Sequence, residues 1–125
     1  MDYPDTKNTN NMIHKIHKDE RGIIKDLIIG KEGAATYITF EKGAIRGNHY
    51  HKKTVQHDFI LSGKLMCYSG DKKEIIKSGQ IITHLANVPH AYKAMEKSEM
   101  ISLVSGPRKG EDYSLDMFKL KIPLV

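Results

Sequence analysis

"GAIRGNHYHKKTVQHDFILSG", Gly43 to Gly63, holds two strand-like runs around a polar turn. "AIRGNHYH" and "VQHDFIL" carry the Ile, Val, Tyr and Phe that suit a pleated surface, while "HKKT" and the closing "LSG" are turn chemistry. In a strand, residues i and i+2 project to one face, so His49 and His51 point the same way. Two neutral imidazoles side by side suit a divalent metal, or an acid/base pair facing a substrate. The hairpin turn returns the chain so that Gln56 or His57 lies beside the pair. These two alternate, so one of them shares the face of the histidines and the other points away.

The same texture runs outward in both directions. Upstream come "MIHKIH", "GIIKDLII" and "AATYITF"; downstream come "KLMCYS", "KEIIK", "QIITHL", "HAYKAM", "EMISLVS" and "LDMFKLKI". Turn residues bound each run, as in "GKEG", "EKG", "SGDKK", "KSGQ", "ANVP" and "EKS", and no window carries a helical stripe. Short strands spaced about 8–12 residues apart predict an all-β sandwich or barrel. The polar opening "MDYPDTKNTNN", residues 1–11, has no periodic apolar pattern and reads as a flexible tail before one domain over 12–125.

At 125 residues the chain is long enough for one core and too short for two. No apolar run approaches roughly 18 residues and no charged-then-apolar leader is present, so the expectation is a cytoplasmic protein without a membrane span. The single Cys67 has no internal disulfide partner, which fits a reducing compartment. A net charge of +5 favours an anionic small molecule. The lysines are scattered, however, and the concentrated basic face of a nucleic-acid binder is missing.

A further histidine, His90, follows the loop "LANVP", and a rolled sheet can bring it back to the first pair. With it the chain resembles the cupin superfamily over Gly43 to His90. The first motif of that family is a Gly, then His-x-His, usually a Glu, and a Gly seven residues later. Here His49, His51 and Gly63 match, with Gln56 at the Glu position. The second motif matches in "GQIITHLANVPH", Gly79 to His90. The resemblance implies a single jelly-roll β-barrel with a metal site in its mouth, whose candidate ligands are His49, His51, Gln56 and His90. Zn is the most common non-redox ion for such donors, with Fe, Ni or Mn as alternatives. A neutral amide at Gln56 implies weaker affinity, or a cluster that works partly without metal.

Two details resemble sugar enzymes of that superfamily. "KDERGIIKDLI" resembles the opening of dTDP-sugar 3,5-epimerases, and "IRGNHYH" resembles their "RG-x-H" segment as well as the cupin domain of capsular-polysaccharide enzymes. A Gln after His-x-His also occurs in dTDP-sugar 3,4-ketoisomerases. The resemblance implies that Arg21 and Arg46 grip a diphosphate and that His49, with His51, does acid/base work on a nucleotide-linked keto sugar. It also implies a homodimer, in which the apolar end strands find cover. The alternatives are a non-catalytic sugar-binding or sensor cupin and an Fe-dependent dioxygenase. His84 reads as a structural histidine that lines the cavity at most, and His14 and His17 have no evident partner. Tyr37, Tyr50, Tyr68 and Tyr92 read as core or barrel wall, and Met66, Met95 and Met100 as gap-filling core.

Overall fold

The computed structural model describes residues 15–30, 33–105 and 116–125, and these are mostly strand. In chain order the strands are β1 (Lys15–Asp19), β2 (Gly22–Gly30), β3 (Gly33–Phe40), β4 (Ile45–Tyr50), β5 (Val55–Ser62) and β6 (Lys64–Ser69). Then come β7 (Lys72–Lys77), β8 (Ile81–His84), β9 (His90–Ala94), β10 (Ser98–Ser105) and β11 (Phe118–Lys119). They form a six-stranded sheet, β1-β2-β3-β10-β5-β8, and a five-stranded sheet, β11-β4-β9-β6-β7. Every pairing is antiparallel. From β3 to β10 the chain passes repeatedly between the two sheets, which is the connectivity of a jelly roll. Among the described residues no helix is long and apolar enough to cross a membrane.

Period-2 alternation decides what lies between the sheets. Phe40, Ile60 and Met100 from one sheet pack on Leu65, Cys67, Ile76, Tyr92 and Ala94 from the other. Burying each large apolar side chain contributes roughly 1.5–3 kcal/mol. Along β5 the inward residues run from Ile60 through Asp58 to Gln56, all buried, so the interior passes from apolar to polar within one strand. That gradient marks where the core ends and the site begins.

The alternation also sorts the other expected core residues. Met100 is core, but Met66 lies on the outward phase of β6, between the buried Leu65 and Cys67. Met95 is 41% exposed in the turn after β9, so it fills no gap in the core. Tyr92 is core, while Tyr37, Tyr50 and Tyr68 are half-buried wall residues. "LDMFKLKI" supplies only the two-residue β11, with Ile122 83% exposed. Beyond β11 the chain is tied to one residue instead, with the amides of Leu120 and Leu124 donating to Asn48 O and Oδ1. His14 and the tail lie outside the described residues. His17 is exposed and sits 3.3 Å from Asp19 Oδ2.

Gly63 turns β5 into β6 at φ +89°, and a Cβ there would lie 2.5 Å from Lys97 O and 2.6 Å from Ser98 Cα. Backbone blocks the space, so no side-chain rotation relieves the overlap. Gly63→Ala is therefore expected to lower unfolding stability by at least about 1–3 kcal/mol from the strained conformation alone. Urea denaturation measures this, and an unchanged midpoint contradicts it.

Candidate metal centre and ligand cavity

Simple alternation would place Arg46 on the face opposite His49 and His51. The structure puts all three on the lining of one cavity. The reason is a β-bulge: Gly47 pairs with Ala91 and His49 with His90, leaving Asn48 as an extra residue. Gly47 has φ +94° and Asn48 φ +58°, conformations that these two residue types tolerate best. A Cβ on Gly47 would lie 2.9 Å from His90 O, so the strands approach this closely only with Gly. The C-terminal segment holds the bulge from outside, as Asn48 Oδ1 accepts from Leu124 N at 2.8 Å.

The rephased strand joins β9 and the β5 hairpin to form a histidine cluster. Ring nitrogens of His49, His51 and His90 lie within 4.8 Å of one another. His49 Nε2 is 3.1 Å from His90 Nε2, and His51 Nε2 is 3.1 Å from Gln56 Oε1. On its other side His51 Nδ1 meets Asp116 O at 2.7 Å. His51 thus faces an oxygen acceptor at both ring nitrogens, whereas a neutral imidazole carries one N–H. In the neutral tautomer that donates Nδ1–H to Asp116 O, Nε2 and Gln56 Oε1 are two acceptors, and a cation between them would satisfy both. Burial, then the neighbouring His51, pushes the pKa of His49 down to about 4. Burial, with His84 and then His49 alongside, pushes His90 down to about 2. Both are neutral near pH 7, which is the form that ligates metals. The donor set therefore fits a divalent ion.

Above the cluster opens a cavity of about 400 Å³. Arg21, Arg46 and Lys119 lie on its wall together with His49, His51 and Gln56, and among the described residues no carboxylate does so. Arg21 stands in the β1–β2 turn, its Nε and Nη2 donating to Asp19 Oδ2 at 3.0 and 2.6 Å. Arg46 is buried and donates through Nε and Nη2 to Thr39 O. Its Nη1 is buried without a hydrogen-bond partner, and no carboxylate among the described residues forms an ion pair with it. Burial, and then the Arg21 charge, hold its pKa below the ordinary arginine value. Arg21 thus has a carboxylate partner and Arg46 has none among the described residues, so Arg46 is the cation on this wall that an anion would answer. His57 faces outward to Thr83 Oγ1, as its alternation with Gln56 requires.

Beneath the cluster lies a network whose members the sequence reading either did not single out or read as structural. Asp58, with 0% exposure, accepts from Gln56 Nε2, from the Tyr92 hydroxyl and from Ser102. His84 Nε2 is 2.6 Å from Tyr92 Oη and 3.4 Å from Asp58 Oδ2, and its ring stacks on His90 with centroids 4.0 Å apart. His84 therefore supports the cluster from below and does not line the cavity. Asp116 is the other omission. Its carboxylate takes the amides of Lys52, Lys53 and Thr54, and its carbonyl holds His51. The spacing of Gln56 and Asp58, two apart in one strand, was the available signal for Asp58. Nothing local announces Asp116.

The depressed histidine pKa values fix a pH response. Unfolding returns His49 and His90 to about 6.5, so the unfolded chain binds more protons below that value. With chelator present, stability is expected to be full above about pH 6.5 and to fall toward pH 4, by up to about 1.4 kcal/mol per pH unit for each histidine. Urea midpoints that stay constant between pH 4 and 7 contradict neutral buried histidines.

Comparison with known proteins follows this geometry. Residues 36–106, more than half of the chain, match the family described as "Cupin domain". No curated protein matches the chain. Among solved structures, the capsular polysaccharide assembling protein CapF from Staphylococcus aureus is similar, with a TM-score of 0.71, 16% identity and 86% of this chain covered. The chain spans only 34% of CapF. An RmlC-like cupin from Shewanella frigidimarina has a TM-score of 0.65 at 19% identity, covering 74% of this chain and 83% of that one. A conserved protein of unknown function from Streptococcus pyogenes has a TM-score of 0.64 at 21% identity, covering 86% and 91%. At these identities the solved structures share the fold. Jelly roll, clustered histidines and matched family residues agree, and the chain belongs to the cupin family.

Proposed function

We propose that this cupin is an epimerase- or isomerase-like enzyme that acts on a nucleotide-linked keto sugar, with a divalent metal held by His49, His51, His90 and Gln56. The observation that carries the reading is the cavity wall, where Arg21, Arg46 and Lys119 converge with two histidines and, among the described residues, no carboxylate. Such a wall selects an anion. A diphosphate answers both arginines through charge-assisted, bidentate hydrogen bonds. Ile24, Ile38, Val104 and Met117 line the same cavity and exclude water from the sugar. The fold likeness to CapF is in keeping with a substrate from surface-polysaccharide metabolism.

A bound divalent ion polarises a carbonyl oxygen, which makes the neighbouring C–H more acidic. Zn, Fe, Ni and Mn all suit imidazole with an amide oxygen. His49 Nε2 accepts a proton only where no ion holds it, so metal content decides which role this ring takes. Elemental analysis of protein purified without chelator or nickel resin makes that decision. His49 and His51 changed together to alanine are expected to abolish any bound metal.

A non-catalytic sugar binder is the competing reading, favoured by the low pKa of His49, which makes it a weak base. Incubation with a 4-keto nucleotide sugar in deuterated water separates the two. Deuterium entering the carbon beside the ketone supports isomerase chemistry; binding without exchange supports the binder, and O₂ consumption an oxygenase.

Each arginine contact contributes roughly 1.5–3 kcal/mol. Arg46→Ala is therefore expected to weaken dTDP or UDP binding about tenfold to a hundredfold. Calorimetric titration reads this, with an unfolding scan to confirm that the variant is folded. No nucleotide binding to the wild type at millimolar concentration rules out the nucleotide-sugar substrate.

A further inference from the structure

An amide side chain has a donor end and an acceptor end, and its surroundings decide which faces where. Gln56 Nε2 lies 3.0 and 2.9 Å from the two carboxylate oxygens of Asp58. A carboxylate only accepts, so the amide nitrogen is held downward and Oε1 is turned to His51. Asp58 in turn has little freedom to move. The Tyr92 hydroxyl from β9, Ser102 from β10 and His84 from β8 all converge on it, and every member of this group is at most 9% exposed. The Tyr92 proton goes to Asp58, so His84 Nε2 donates to Tyr92 Oη and the set closes in one sense.

We propose that Asp58 is a positioning residue for metal binding, which locks Gln56 as an oxygen donor and carries the site's negative charge one layer below the cluster. The proposal rests on the reading that the cluster binds a divalent cation. Without the lock, Gln56 is free to turn its NH₂ to the lone pair of His51 Nε2, and that contact occupies the ligand nitrogen. With the lock, Gln56 Oε1 is held 3.1 Å from His51 Nε2, and in the tautomer that donates Nδ1–H to Asp116 O these are two acceptors that a cation satisfies together. Asp58 itself does not line the cavity, so it touches neither ion nor substrate. It acts through Gln56.

The arrangement predicts an exchange experiment. Gln56→Glu alone opposes two carboxylates across about 3 Å, and Asp58→Asn alone turns an NH₂ toward donors that converge on Asp58, Gln56 Nε2 or the Tyr92 hydroxyl; each is expected to lower the apo-protein Tm. Gln56→Glu with Asp58→Asn restores one amide and one carboxylate, the amide donating upward, so its Tm should return toward wild type. In zinc titrations by calorimetry, Asp58→Asn is expected to bind about 10–100-fold more weakly than wild type. The exchanged pair, whose carboxylate now faces His51, is expected to bind at least about tenfold more tightly. A double variant no more stable than the worse single variant overturns the lock, whatever the metal result. Recovered Tm with zinc affinity unchanged across the set overturns the role in metal binding. Recovered Tm with no zinc uptake by wild type sinks the metal reading and the proposed role with it, while the hydrogen-bond lock survives.

Discussion

A carboxylate removed from solvent must collect its hydrogen bonds from the fold, because an unpaired buried charge is among the most destabilising things a protein can contain. Asp58 collects them from three strands, its own β5 together with β9 and β10, and the His84 ring of β8 stands 3.4 Å away. Since β9 belongs to the opposite sheet, this group fixes the spacing of the two sheets at the point where the apolar core stops. Its pKa lies below the ordinary carboxylate value although burial acts to raise it, because His84, Tyr92 and Ser102 favour the charged form. The Tyr92 phenol is correspondingly pushed up by burial and by that charge. The cluster above inherits its geometry from this base, through Gln56 on one side and the His84–His90 stack on the other.

The bulge at Gly47–Asn48 makes the second contribution. One extra residue in β4 converts an alternating strand into one that presents Arg46, His49 and His51 to the same cavity. The proposed anion grip and metal ligands thereby come within a six-residue stretch, on an element whose irregularity is clamped by the C-terminal segment at Asn48. The same terminal segment supplies Asp116 to the 52–54 turn, Met117 and Lys119 to the cavity, and the Phe118 ring against Tyr50 and Lys52. A segment that adds only two residues to a sheet is thus a wall of the site.

Cavity chemistry follows from what the two layers divide between them. Among the described residues negative charge stays on Asp58 below and on Asp19 behind Arg21, and the wall itself carries neutral and cationic side chains. A small anion entering the cavity meets Arg46, whose buried Nη1 has no hydrogen-bond partner. Apolar Ile24, Ile38 and Val104 complete the wall and lower the local dielectric, which strengthens every such contact.

The sequence by itself determined the strands, because alternation and turn residues act within a few positions of one another. Every run read as a strand overlaps one, the first only at residues 15–17 because 12–14 lie outside the described residues, and the pairing of His49 with His51 followed from the same period. Gln56 and His90 were legible only through the resemblance of the two motifs, since nothing local says that residues so far apart meet. Tertiary structure alone decided the rest. It placed Arg46 on the face of His49 through a bulge that β9 pairing imposes. It sent Met95 to the surface and reduced the last strand to Phe118–Lys119. It also made His84, Tyr92 and Asp58 one network, because the partners of a buried polar group are chosen by which strands become neighbours, and that choice is made between sheets.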